Sequence, residues 1–76
     1  MEINLYESTK AKTFEVLSTP DIKLLEHMGL REGVQVTVQN RYGLGGPILL
    51  RVEDSYTIAL GKDLAKLVSV KEIETK

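Results

Sequence analysis

The chain has 76 residues, ten Lys and Arg against eleven Asp and Glu, a net charge of −1 and no cysteine. That length holds one small domain with a single core; the missing thiols exclude a disulfide frame and a thiolate zinc site, and near-neutrality removes the broad attraction behind non-specific nucleic-acid binding. Its longest apolar runs, such as Ile48-Leu49-Leu50, fall far short of the roughly 18 residues of a membrane span, so a soluble domain is expected.

Taken in order, Met1 to Glu7 sets Ile3 and Leu5 around Asn4, a short extended piece. After the polar interruption Ser8 to Lys12, the segment Thr13-Phe14-Glu15-Val16-Leu17 points Phe14 and Val16 one way and Glu15 the other, as a half-buried strand does. Ser18-Thr19-Pro20-Asp21 reads as a helix start: Thr19 caps an orphan amide, Pro20 has no N–H to leave unsatisfied, and Asp21 sits near the positive end of the dipole. The helix expected from Pro20 to Met28 places Ile22, Leu25 and Leu24, Met28 at three- and four-residue spacings, and so short a helix must be held by packing.

Met28-Gly29-Leu30-Arg31-Glu32-Gly33 then converts a helical rhythm into an alternating one. Gly29 reads as the left-handed residue just past the helix, with Leu30 folding back onto Leu25 in a Schellman closure, and Gly33 supplies a positive φ in the turn after Arg31-Glu32. Val34, Val36 and Val38 alternate with Gln35, Thr37 and Gln39 as a strand. Asn40-Arg41-Tyr42-Gly43-Leu44-Gly45-Gly46-Pro47 cannot be a strand interior and is the longest interruption of the chain. Ile48, Leu50 and Val52 resume the alternation, Asp54-Ser55 turns the chain back, and Tyr56, Ile58 and Leu60 complete a hairpin. After Gly61, Lys62 to Lys66 forms one helical turn that drops Leu64 and Ala65 onto the core, Leu67 to Val70 closes the structure as a last strand, and a charged tail begins at Lys71. The pattern predicts a mainly β, small and highly curved barrel with one short helix after its first strand and a helical turn before its last, burying about fourteen apolar side chains.

Leu24-Leu25, Met28-Gly29-Leu30 with Gly33, Val36 and Val38, Gly46-Pro47, Arg51-Val52, Ile58-Ala59-Leu60, Ala65 and Val70 together resemble the FeoA family of ferrous iron transport proteins, over about Phe14 to Val70. The resemblance implies an SH3-like β-barrel in the cytoplasm that accompanies a membrane ferrous iron transporter and its cytosolic GTP-binding domain. Family members often carry a Pro-Gly turn where this chain has Thr9-Lys10-Ala11, and Glu53-Asp54-Ser55 replaces a frequent glycine turn, which predicts a longer or differently twisted corner. Metal-dependent repressors of the diphtheria-toxin-repressor type end in a similar domain; here Met1 opens onto the barrel, and a stand-alone domain is expected.

No catalytic, metal or cofactor site emerges from the residues. His27 is the single histidine; Glu26 beside it points about 100° away on a helix, and Glu32 completes no set of ligands. No serine neighbours it as a nucleophile would need, and Glu53-Asp54 lies in a turn, where solvation accounts for paired carboxylates. Gly43-Leu44-Gly45-Gly46 differs from a phosphate loop because it leads from strand to strand, with no Lys-Ser or Lys-Thr after it. What glycine-driven looping leaves unexplained is Tyr42 and Leu44 at the tip. Arg41, Tyr42, Leu44, Gly45, Gly46 and Pro47 are therefore the expected partner-binding surface, comparable to the aromatic-lined grooves on which SH3 domains dock extended peptides, with packing of Tyr42 back onto the barrel as the alternative. The expected partner is the transporter's GTP-binding domain, with self-contact, peptide binding or oligomerisation as in the repressors, and nucleic-acid binding as the other readings. Neutral charge and a single phenylalanine disfavour the last.

Overall fold

The computed structural model describes residues 2–73. Strand β1 (Glu2–Asn4) leads into a 3-10 turn (Leu5–Glu7), followed by β2 (Thr13–Ser18), α1 (Lys23–His27), β3 (Gln35–Arg41), β4 (Ile48–Val52), β5 (Tyr56–Leu60), α2 (Lys62–Ala65) and β6 (Ser69–Glu72). All six strands join one antiparallel sheet in the order β1-β6-β2-β3-β4-β5. The sheet curls tightly without closing, since no ladder joins β1 to β5 among the described residues. This is the small, highly curved β architecture expected, with β1, only three residues long, spending its pairing on β6.

The alternation read from the sequence packs as expected. Phe14, Val16, Val36, Val38, Ile48, Leu50, Val52 and Val70 point inward from the strands, while Leu25, Leu30, Ala65 and Val68 close the core from the helices and turns. Among the described residues fourteen apolar side chains are buried, which is what holds so short a chain together.

Gly29 and Gly33 act as the sequence predicts. The Leu30 N–H donates to the Leu25 carbonyl and the Gly29 N–H to the Glu26 carbonyl, both at 3.0 Å, with Gly29 at φ 84°, a complete Schellman ending. Val34 N–H donates to the Arg31 carbonyl at 3.1 Å across a turn whose third residue is Gly33, at φ 89°.

The helix start is different. Thr19 makes no cap: α1 begins three residues later than expected, with Ile22 in the capping position and no side-chain cap bond. The cause is a tight turn, in which the Ile22 N–H takes the Pro20 carbonyl at 2.8 Å and so diverts it from the helical ladder. Leu25 is buried by α1, Ile22 and Met28 are partly buried, and Leu24 stays half exposed. The charged tail also begins later, because Lys71 and Glu72 extend β6 and the Ile73 N–H donates to the Thr13 carbonyl at 2.9 Å. Glu74 to Lys76 lie outside the described residues.

Both departures from the family pattern resolve into turns. Lys12 N–H donates to the Thr9 carbonyl at 3.3 Å with Ala11 at φ 70°, so Lys10-Ala11 occupies the two central positions that Pro-Gly would fill in a type II turn. The corner between β4 and β5 is Glu53–Ser55 rather than Asp54-Ser55 alone: Glu53 and Asp54 sit at φ 51° and 57°, and the Ser55 N–H donates to the Val52 carbonyl at 2.8 Å.

Candidate functional site

The register of the β4–β5 hairpin gives the domain two ends. Val52 pairs with Tyr56 at one end, beside α1, and Ile48 pairs with Leu60 at the other, where the loop 42–47 and α2 meet. The glycine-marked segment Met28–Gly33 therefore lies away from the expected contact loop.

At the loop end, β3 runs two residues further than the alternation suggests. Val38 pairs with Leu50 but Asn40 with Leu49, so Gln39 is an extra, bulged residue. A bulge re-aims the side chains after it. Without one, Asn40 would follow Val38 onto the inner face; with it, Arg41 pairs with the inward Ile48 and reaches across the mouth of the barrel. Its guanidinium donates to the Ser8 carbonyl and lies over the Tyr6 ring, 5.3 Å from the centroid.

Beyond Arg41 the loop holds itself. Tyr42 N–H donates to the Pro47 carbonyl at 3.2 Å, and inside that closure Gly46 N–H donates to the Gly43 carbonyl at 3.2 Å. The two central residues of the inner turn are Leu44 at φ 59° and Gly45 at φ 78°, the left-handed pair of a type I′ turn. Asn-Gly is the favoured occupant of such a turn; a leucine there strains its backbone by about 1–2 kcal/mol. Leu44 gains nothing from the core in return, being fully exposed (109%). Tyr42 is half exposed, and its Cβ and carbonyl crowd Gly46, where an added Cβ would lie 3.0 Å from each. Pro47 is exposed at the exit.

Two residues of this end were not apparent from the sequence. The Tyr6 hydroxyl donates to the Gly46 carbonyl at 3.1 Å, bridging 40 residues of chain, and Lys62 brings its Nζ to 5.9 Å from the centroid of the same ring. The hairpin register, which carries Gly61 and Lys62 past Ile48, is the signal that could have found Lys62; nothing local marks Tyr6. Arg41, Tyr42, Leu44, Gly45, Gly46 and Pro47 thus form one continuous surface, with Tyr6 beneath and Lys62 beside it.

Elsewhere the surface offers little chemistry. His27 is exposed on α1, and among the described residues no three His, Cys, Asp or Glu side chains gather as a metal site would require. A cleft of about 310 Å³ beside α1 is lined by Asp21, Glu26, Arg31 and Glu32 together with the apolar Ile22 and Leu30. No helix among the described residues is long and apolar enough to cross a membrane.

Fold and surface together define a small SH3-like β domain whose distinctive feature is an exposed loop at one end of the sheet. The FeoA domain family matches residues 4–72, and the chain belongs to that family. It is similar to the crystal structure of an iron uptake regulatory protein (FeoA), at 28% identity and a TM-score of 0.85, over 96% of this chain and 99% of that one. A FeoA-like protein from Clostridium acetobutylicum aligns at 25% identity and a TM-score of 0.83, over 99% and 91% of the two chains. A manganese-dependent transcriptional repressor shares the fold at 19% identity and a TM-score of 0.84, with 95% of this chain covering 42% of the repressor. No curated protein sequence matches the chain. Family membership makes this a small accessory protein associated with ferrous iron transport.

Proposed function

We propose that the protein is a cytoplasmic adaptor that docks on the cytosolic GTP-binding domain of a membrane ferrous iron transporter and modulates uptake, using the surface from Arg41 to Pro47. The observation that carries this reading is Leu44: a bulky apolar side chain held fully exposed on a left-handed backbone. Ala11, Glu53 and Asp54 share the left-handed backbone; what sets Leu44 apart is that the strain presents a large apolar side chain wholly to solvent, and an exposed leucine beside a half-exposed tyrosine and a proline makes an apolar contact of the kind that anchors interfaces.

The adaptor reading requires no chemistry from the domain itself. Tyr42, Leu44 and Pro47 supply the apolar contact, and the nested hydrogen bonds at Tyr42 and Gly46 hold the loop in one shape before binding, which lowers the ordering cost of association. Titration calorimetry of the transporter's GTP-binding domain against the wild type and a Tyr42→Ala, Leu44→Ala double variant tests it. Loss of measurable binding in the double variant is expected; unchanged affinity overturns the assignment of this loop.

A further inference from the structure

We propose that this loop selects a protein segment that is apolar at its centre and acidic beside it, with Arg41 and Lys62 receiving the carboxylates. The proposal rests on the reading of the loop as the docking surface and adds the chemistry of what it accepts.

Two cations converge on one aromatic ring here. Arg41 stands 5.3 Å and Lys62 5.9 Å from the Tyr6 centroid, and the ring itself is fixed by its hydroxyl on the Gly46 carbonyl. A π face attracts both charges and so holds them in place, but it neutralises neither. Among the described residues the single ion pair is Lys12 with Glu72, at 3.1 Å, so no described carboxylate forms an ion pair with Arg41 or Lys62. Arg41 satisfies part of its guanidinium on the Ser8 carbonyl; the rest of the planar fork has no acceptor among the described residues and suits a carboxylate.

The position of these charges says what they serve. Lys62 runs alongside Gly45, where its Cδ and Nζ would lie 3.9 Å from an added Cβ, so its charge flanks the turn that presents Leu44. Cations at the edge of an apolar contact steer an acidic partner and reject a basic one. A polyanion such as RNA is the less fitting occupant, because the apolar tip offers it nothing and the chain carries a net charge of −1.

The test is a calorimetric titration of the full chain against the transporter's GTP-binding domain at about 0.05 M and about 0.5 M salt. The variants are Lys62→Glu, Lys23→Glu and the Tyr42→Ala, Leu44→Ala pair. Lys62 is the first residue of α2, where an acidic side chain suits the helix, and thermal denaturation verifies that the variant is folded. Lys23→Glu makes the same change in net charge on α1. The expected result is that Lys62→Glu weakens binding by about tenfold or more at low salt, with a smaller difference at high salt, while Lys23→Glu leaves it within about twofold. If the loop pair abolishes binding but Lys62→Glu matches the wild type at both salts, the acidic selectivity is overturned and the loop reading stands. If the loop pair binds like the wild type, the loop reading fails and this inference fails with it. Binding of an RNA pool that is lost in Lys62→Glu, with the protein partner unaffected, also overturns it.

Discussion

The Tyr56 hydroxyl donates to the Met28 carbonyl at 2.7 Å, tying the first residue of β5 to the end of α1 across 28 residues of chain. That carbonyl is one of those a helix leaves without an internal partner. Gly29, next along the chain, has Tyr56 packed so closely that an added Cβ would run into its hydroxyl, and it also holds φ 84°. The family-marking glycine therefore answers two demands at once, a left-handed backbone and room for a tyrosine from a distant strand.

Removing the hydroxyl with Tyr56→Phe is expected to cost about 0.5–1.5 kcal/mol. A Gly29→Ala change is expected to cost more, since the left-handed alanine alone loses about 1–2 kcal/mol and the hydrogen bond is displaced as well. In a Tyr56→Ala background the same glycine change should cost less, because the collision is gone; denaturant titration of the four proteins measures that coupling. Equal costs in both backgrounds would contradict the double role.

Ala11 and Asp54 hold φ 70° and 57° without being glycine. Ala11→Gly and Asp54→Gly are each expected to stabilise the fold by about 0.5–1 kcal/mol, the relief of the left-handed strain exceeding the extra entropy glycine brings to the unfolded chain. A single kilocalorie moves the midpoint of a domain this size by about 4–8 °C, so thermal denaturation resolves the effect. Neither position lies in the contact loop, and partner affinity is expected to stay unchanged.

Thr19→Ala provides a contrast. A capping threonine replaced by alanine costs about 0.5–2 kcal/mol, but α1 starts on Ile22 with no side-chain cap, so the change is expected to stay within about 0.5 kcal/mol. A loss above about 1 kcal/mol in chemical denaturation would indicate that Thr19 caps the helix after all.

How far the molecule was legible from its sequence varies by element. The strands through Phe14-Val16, Val36-Val38 and Ile48-Leu50-Val52 were readable because each has one buried and one wetter face, and the sheet preserves that alternation. The ending of α1 was readable because Gly29 and Leu30 carry local conformational demands. Its beginning was not, since Thr19-Pro20-Asp21 has the composition of a cap while the Pro20 carbonyl is consumed by a tighter turn. The bulge at Gln39 has no signature in composition; it shows only in the register of β3 against β4, and the residue it re-aims, Arg41, lies over Tyr6. The loop itself was visible as glycines and a proline. The strain at Leu44 and the neighbouring Lys62 required the backbone and the hairpin register.

The most direct test of the docking account is one variant measured twice. Leu44→Asn gives the turn the Asn-Gly pair that type I′ geometry favours while removing the apolar tip. Its melting temperature and its affinity for the transporter's GTP-binding domain are expected to move in opposite directions. The midpoint should rise by about 4 °C, and binding should weaken by about tenfold or more. A lower midpoint would mean that Leu44 serves the fold, and a raised midpoint with unchanged affinity would mean that its exposure serves nothing this partner touches.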